Sequence, residues 1–329
     1  MQKEAKGRKK VIVLATGGTI AGVGENGNNT GYTSGVLGSD ELLSDALGRL
    51  NGTPFSFDIK TIQISNINSD DIDSKIWIKM VEYIDSFSKR DDVLGFVITH
   101  GTDTMEETAY FLSITVNTDK PVVITGAMRP STAVSPDGPG NLIDALYAAS
   151  DEASAGRGVM VVFSGRIIEG ASVKKRSTFS PDPMTGREIG YIFDGKAIYK
   201  EGKRSSRHIF DISKVNELPV VTIMYFNAEA SAVLLKFSAG ISKGLVIAGA
   251  GAGEYSEEYL KALDEIKVPV VISSRVEEGF VGRDMLLSDK TIASGSLSPQ
   301  KAAILLRAAL TQTDNIPEMK RLIEEICIG

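Results

Sequence analysis

Short runs of apolar, largely β-branched residues recur along the chain, and segments with apolar positions at helical spacing lie between them. Runs of this length, bounded by glycine or polar residues, are typical of buried strands. Predicted strands cover residues 11–17, 57–64, 93–99, 120–126, 158–163, 220–225, 244–248 and 268–273. Predicted helices cover 39–50, 76–87, a segment opening at 104, 142–149 and 298–309. Strand, polar loop and helix therefore alternate through most of the chain.

This alternation predicts an α/β fold with a mainly parallel sheet and helices on both faces. The pattern weakens between residues 169 and 216, which include the charged run 200–207. A second alternation follows. We therefore expect a larger N-terminal α/β domain over 1–199, a linker over 200–217 and a smaller C-terminal α/β domain over 218–329.

Three helix starts carry recognisable signals. Ser39-Asp40-Glu41 precedes the first amphipathic segment, and Thr104-Met-Glu-Glu107 has the spacing of a capping box. Ser298-Pro299 offers an N-cap serine followed by a proline in the first turn. Each pattern predicts that the polar side chain caps its own helix.

Composition narrows the function classes. The 329 residues carry a net charge of −6 with both signs scattered, which argues against nucleic acid as a partner. No apolar run approaches the roughly 20 residues that span a bilayer. The single cysteine, Cys327, leaves no internal disulfide and no cysteine-based metal cluster. His100 and His208 are the only histidines and show no zinc or Ser-His motif, which disfavours a histidine-based hydrolase.

Two strand-end loops carry the candidate chemistry. Thr19 follows Gly17-Gly18 at the end of the first strand, and Thr102-Asp103 follow the strand that ends at residue 99. The carboxyl ends of parallel strands are where ligands usually bind in an open α/β sheet. A hydroxyl nucleophile needs a basic group and a carboxylate that holds it, for which Thr102, Asp103 and a lysine such as Lys175 are suitable. That lysine acts in proton transfer only while its amine is transiently neutral.

The same residues resemble the signatures of a known family. Ala15-Thr-Gly-Gly-Thr-Ile-Ala-Gly22 and Gly95-Phe-Val-Ile-Thr-His-Gly-Thr-Asp-Thr-Met-Glu-Glu-Thr108 are similar to the two signatures of the bacterial L-asparaginases. Segments 123–131, 273–276 and 294–301 extend the likeness over nearly the whole chain. The chain looks closer to the type II branch, which comprises asparaginases and glutaminase-asparaginases, than to the type I enzymes.

The resemblance implies a role for each matching residue. Thr19 would be the nucleophile, Tyr32 its contact from the following loop, and Thr102, Asp103 and Lys175 the triad. Implied substrate-binding residues, in addition to Thr102 and Asp103, are Gly18, Ser69, Asp70, Gly101 and Ala127, together with Glu254 and Asp284 donated by a neighbouring subunit.

The chain departs from the family at the edges of this site. Asp70 stands where the family usually has Gln or Glu against the substrate amine. Glu254 stands where the family tends to have Asn or Ser, and Asp284 is the nearest match to an acidic residue from the partner subunit. These changes bear on substrate affinity and on the preference between asparagine and glutamine.

The resemblance implies hydrolysis of L-asparagine to L-aspartate and ammonia, with lesser activity on L-glutamine, no cofactor or metal, and a homotetramer built as a dimer of dimers. Two alternatives remain: a broad glutaminase-asparaginase, and a non-catalytic amino-acid sensor on the same fold. Double displacement through Thr19 and direct attack by water held at Thr102 also both remain open. The sequence as given has no recognisable export signal, which favours the cytoplasm; a processed type II form would be periplasmic or secreted.

Overall fold

The computed structural model describes residues 8–24, 27–28, 31–50, 55–203 and 209–328. The chain divides into two compact units, Met1–Ile209 and Phe210–Gly329. Residues 204–208, which include His208 and part of the predicted linker 200–217, lie outside the described residues. The linker and the boundaries 1–199 and 218–329 stay predictions.

The N-terminal unit contains one large sheet and two small antiparallel pairs. Its strands are β1 (Lys10–Gly17), β2 (Val23–Gly24), β3 (Tyr32–Thr33), β4 (Asp58–Ile67), β5 (Val93–Thr99), β6 (Val122–Thr125), β7 (Val159–Phe163), β8 (Arg166–Glu169), β9 (Lys174–Lys175), β10 (Met184–Thr185), β11 (Glu188–Phe193) and β12 (Lys196–Tyr199). Its helices are α1 (Ser39–Gly48), α2 (Ser74–Ser88), α3 (Met105–Thr115) and α4 (Gly138–Ser150).

The large sheet has the strand order β12-β11-β8-β7-β6-β5-β1-β4. The five strands from β4 to β7 in that order pair in parallel, whereas β8, β11 and β12 add antiparallel strands at one edge. The prediction of a mainly parallel sheet is confirmed. The antiparallel edge lies largely in the region where the sequence pattern weakened, so these strands were not predicted.

Helices cover both faces of the parallel strands. Val11 and Val13 of β1 belong to the core cluster that includes residues of α1 and α4. Ile12 and Leu14, which point to the opposite face because side chains alternate, are also fully buried. Burial on both faces explains why β1 is an uninterrupted apolar run instead of an alternating one.

The three helices begin at or one residue after the predicted signals, which confirms the predicted starts, but in none of them does the Ser or Thr side chain form the cap. Helix α1 begins at Ser39 with Gly38 as its N-cap, whose N–H is bound by the Glu41 carboxylate at 2.9 Å. Thr104 occupies the N-cap position of α3, but its hydroxyl donates to the Ser69 carbonyl oxygen at 2.7 Å. Ser298 likewise precedes its helix without a side-chain cap. Tertiary contacts at Thr104 outweigh the local pattern.

The C-terminal unit is a four-stranded parallel sheet with helices. Its elements are β13 (Val221–Tyr225), α5 (Ala232–Ile241), β14 (Gly244–Gly249), α6 (Glu257–Leu263), β15 (Val270–Ser274), β16 (Thr291–Ala293), α7 (Pro299–Ala309) and α8 (Ile316–Ile328). Helix α8, whose Met319 and Ile323 are buried, was not predicted from the sequence. Within the described ranges, every helix is too short or too polar to cross a membrane.

Candidate active site

The loops that follow β1 and β5 touch each other through glycine backbones. The two strands are parallel neighbours, with Ala15 opposite Thr99. Gly18 has a φ of +81°, and a Cβ added to it would lie 2.5 Å from the Gly101 Cα. Only glycine fits both the left-handed backbone and this approach. The contact brings the loop of Thr19 against the loop of Thr102 and Asp103.

Thr19 is a nearly buried hydroxyl with an aromatic hydroxyl beside it. The residue is 9% exposed, and its Oγ1 lies 2.6 Å from Tyr32 Oη. Tyr32 lies on β3, which pairs with β2 in a short antiparallel ribbon after Thr19. Tyr32 therefore orients the Thr19 hydroxyl.

Lys175 joins the second threonine to the aspartate. Its Nζ donates to Thr102 Oγ1 at 2.8 Å and to Asp103 Oδ1 at 2.5 Å. The Lys175 side chain is 14% exposed and that of Asp103 is 64% exposed. The structure thus brings Lys175 to two adjacent side chains that lie more than 70 positions before it in sequence. A partly desolvated amine between a hydroxyl and a carboxylate can transfer protons in either direction.

Ser69 and Asp70 follow β4 at the same edge of the sheet. Ser69 is buried, and a Cβ added to Gly101 would lie 2.8 Å from its Oγ. Asp70 is exposed beside it in the short 3-10 turn Ser69–Asp71. Ser69 adjoins the Gly101 loop, and Asp70 is its neighbour in sequence; the family resemblance implied this pair as substrate-binding residues.

The loop of Ala127 is held from behind by residues that the sequence analysis missed. The Asp137 carboxylate accepts the N–H groups of Met128 and Arg129, each at 2.9 Å. The Asn141 amide donates to the Gly126 carbonyl at 3.0 Å. The Met128 sulfur also accepts a weak bond from Thr102 Oγ1 at 3.4 Å. From its position just before Gly138-Pro139, Asp137 would be expected to cap the following helix. No local sequence pattern indicates that it binds the loop of Ala127.

His100 is a fully buried structural residue beside the site. Burial lowers its pKa to about 4, so the ring is neutral at pH 7. Nδ1 faces the Gly101 carbonyl at 2.6 Å and must therefore carry the proton. Nε2 then accepts the Thr108 hydroxyl at 2.8 Å, and Thr108 Oγ1 accepts the Trp77 indole N–H. This chain of donors fixes the peptide that precedes Thr102.

Glu254 and Asp284 lie in the C-terminal unit, and both are exposed. Glu254 closes a turn with Ala250 through two backbone bonds of 2.8 Å, and Asp284 lies in the 3-10 turn Arg283–Met285. Their predicted roles require a second copy of the chain, so those roles stay predictions. In the part of the chain that the structure describes, His, Cys, Asp and Glu form no group of three or more able to hold a metal ion.

Both parts of the chain match known sequence families. Residues 10–203 match the family described as Asparaginase, N-terminal, and residues 220–323 match the Glutaminase/Asparaginase C-terminal domain. The chain belongs to the asparaginase family, and the resemblance stated from the sequence is confirmed.

Individual relatives cover almost the entire chain. It is 41% identical to L-asparaginase 2 of Escherichia coli (strain K12), over 96% of this chain and 92% of the relative. It is 35% identical to the glutaminase-asparaginase of Acinetobacter glutaminasificans, over 96% and 99%. The crystal structure of a probable cytoplasmic L-asparaginase from Campylobacter jejuni superimposes with a TM-score of 0.87 at 36% identity, over 96% and 99%.

Proposed function

We propose that this protein hydrolyses the side-chain amide of L-asparagine to L-aspartate and ammonia, with a lesser activity on L-glutamine. The observation that carries the proposal is the Lys175 ammonium bound to both Thr102 and Asp103, next to the Thr19–Tyr32 pair. One hydroxyl is held for attack and the other is held against a proton carrier. Binding alone would require neither arrangement.

In the proposed reaction, Thr19 Oγ attacks the amide carbon of the substrate. Backbone N–H groups of the loops at Gly18, Gly101 and Ala127 stabilise the oxyanion, and such stabilisation is commonly the largest catalytic term. The C–N bond breaks as the nitrogen takes the proton that the Thr19 hydroxyl has given up, and it leaves as ammonia. Water activated by the Thr102–Asp103–Lys175 set then cleaves the Thr19 ester. Direct attack by water held at Thr102 is the competing route.

The α-carboxylate and α-ammonium of the substrate have matching partners in this proposal. Ser69 offers a hydroxyl to the carboxylate. Asp103 binds Lys175 through Oδ1, and its 64% exposed side chain leaves the remaining oxygen for the ammonium group. Asp70 adds a second carboxylate near that position. The shorter reach of Asp70, compared with Gln or Glu, is expected to affect both affinity and the preference for glutamine.

Ammonia release from L-asparagine and L-glutamine tests this proposal when wild type and Thr19→Ala are measured side by side. We expect turnover of asparagine, slower turnover of glutamine and loss of both in the variant. Equal rates on the two amides would favour the broad glutaminase-asparaginase. Tight aspartate binding without turnover of either amide would favour the amino-acid sensor.

We also infer a homotetramer, a dimer of dimers in which Glu254 and Asp284 complete the site of a neighbouring copy. The supporting observation is an apolar surface on edge strand β13 and helix α5 that is exposed in the single chain: Ile223, Tyr225, Val233, Leu234, Phe237 and Ile241. Apolar patches of this kind mark protein interfaces. Light scattering should give about four times the 35.2 kDa chain mass, and dilution to monomer should abolish turnover. Fully active monomers would refute the shared site.

A further inference from the structure

The backbone of Lys175 is bound by a second carboxylate, separate from the one that binds its ammonium group. The Lys175 N–H donates to Glu106 Oε2 at 2.7 Å. Glu106 is 6% exposed, so the acceptor of this part-buried bond is largely shielded from water. A hydrogen bond from an N–H group to a buried carboxylate is charge-assisted and stronger than one between neutral groups.

Glu106 and the partners of the Lys175 ammonium belong to one short segment. Thr102 and Asp103 lie in the loop after β5, and Glu106 lies in the first turn of α3, three residues later. The segment 102–106 therefore binds Lys175 at two places. Thr102 and Asp103 bind its Nζ, and Glu106 binds its backbone nitrogen. The position of Lys175 is set relative to the groups with which it reacts.

The strand that carries Lys175 is short and lies outside the large sheet. Among the described strands, the two-residue β9 pairs with the two-residue β10 in a separate ribbon. The N–H of Arg176 binds the Pro183 carbonyl within this ribbon at 2.8 Å, whereas the N–H of Lys175 points to Glu106. Without Glu106, this N–H would lose its acceptor, and such a loss is costly in a buried place.

We propose that Glu106 is a positioning residue for the reaction, acting through Lys175 and making no contact with substrate. It fixes the backbone of β9 so that Nζ reaches Thr102 and Asp103 together. A shift of about 1 Å in a reacting group can cost on the order of 10²-fold in rate. The role in catalysis rests on the proposed function, whereas the anchoring of β9 does not.

The variants Glu106→Gln and Glu106→Leu separate the hydrogen bond from the size of the side chain. Gln keeps an acceptor oxygen, and Leu removes it at similar volume. Glu107→Leu, on the same helical turn, is the matched control because its carboxylate is not the acceptor of the Lys175 N–H. We expect kcat on asparagine to fall about 10- to 100-fold in Glu106→Leu with KM within about threefold, and to stay within about threefold of wild type in Glu106→Gln.

Hydrogen–deuterium exchange on peptides containing Lys175 tests the anchoring without reference to activity. We expect exchange at least about tenfold faster in Glu106→Leu than in Glu107→Leu, at equal melting temperature. A kcat within twofold of wild type in Glu106→Leu, equal impairment in Gln and Leu, or unchanged exchange would each overturn the proposal. If the wild type has no activity but the Lys175 peptides still exchange faster in Glu106→Leu than in Glu107→Leu, the proposed function is refuted and the anchoring of β9 by Glu106 is supported.

Discussion

The two buried threonines of the site differ in what surrounds them. Thr19 faces the phenol of Tyr32 on the two-residue strand β3, whereas Thr102 faces a lysine and lies beside an aspartate, between β5 and α3. In the first region, among the residues that the structure describes, no charged side chain is bonded to the Thr19 hydroxyl. The second region places a cation and an anion around a hydroxyl. The difference fits the division of labour that we propose, with attack at Thr19 and proton transfer at Thr102.

The largest effect that sharpens this comparison is expected from Lys175→Met. Removal of the proton carrier should lower kcat by about 10²- to 10⁴-fold, the usual contribution of general acid–base catalysis. KM should change little, because Lys175 binds Thr102 and Asp103 and the proposed function gives it no contact with the substrate. Asp103→Asn should lower kcat and also raise KM, since the proposed function assigns the substrate ammonium to Asp103. Steady-state kinetics of the two variants on asparagine measure kcat and KM for each. Equal effects of the two substitutions on KM would contradict the separate roles proposed for Lys175 and Asp103.

Tyr32→Phe should have a smaller effect on the Thr19 side. The variant removes the hydroxyl 2.6 Å from Thr19 Oγ1 and keeps the ring. We expect kcat to fall by about 10- to 100-fold with the fold unchanged. Pre-steady-state measurements should place the loss in the first chemical step. A loss confined to breakdown of the ester would instead assign Tyr32 to the Thr102 region.

The regularity of each element decided how much of this site could be predicted from its sequence. β5 matched its predicted range of 93–99 because both faces are buried and the run is uninterrupted. The loops that carry Gly18-Thr19 and Gly101-Thr102 could be predicted because they begin where the predicted strands end. The chemistry of its amine made Lys175 a candidate beside Thr102 and Asp103, but only the family resemblance gave it a definite role, since it lies on a two-residue strand in a region without hydrophobic periodicity.

Partners distant in sequence could not be predicted from local patterns. Glu106 binds a backbone group 69 positions away, and Thr104 binds the Ser69 carbonyl where the pattern predicted a cap. Asp137 binds a loop eight and nine residues before it. A polar side chain next to a helix start has several possible acceptors and donors, and the fold determines which of them comes within reach.

The burial of His100 gives a pH prediction for the stability of the Thr102 region. Its pKa is about 4 when folded and about 6.5 when unfolded, so only the unfolded chain gains the proton as pH falls through this window. Stability present above pH 6.5 is therefore lost on acidification. We expect this group to lower the free energy of unfolding by about 2 kcal/mol between pH 7 and pH 5. Urea unfolding of wild type and His100→Gln measures it; identical pH slopes in both would contradict the assignment.

The smallest effect concerns substrate choice at Asp70. Asp70→Gln supplies the longer side chain usual in the resembling family. We expect KM for asparagine to fall by about two- to fivefold, which corresponds to about 0.5–1 kcal/mol of binding free energy. The ratio of glutamine to asparagine turnover should change as well. Competition assays with both amides measure the ratio. An unchanged ratio would show that the exposed Asp70 carboxylate does not contact the substrate.

The most direct test of the division of labour is to identify where the acyl group forms. Thr102→Val removes the hydroxyl that the account assigns to ester cleavage and keeps Thr19 and Tyr32. Mass spectrometry of peptides after rapid quenching with asparagine, or with a slowly hydrolysed analogue in wild type, should show an aspartyl ester on Thr19. An ester on Thr102, or continued turnover with no labelled residue, would contradict the account.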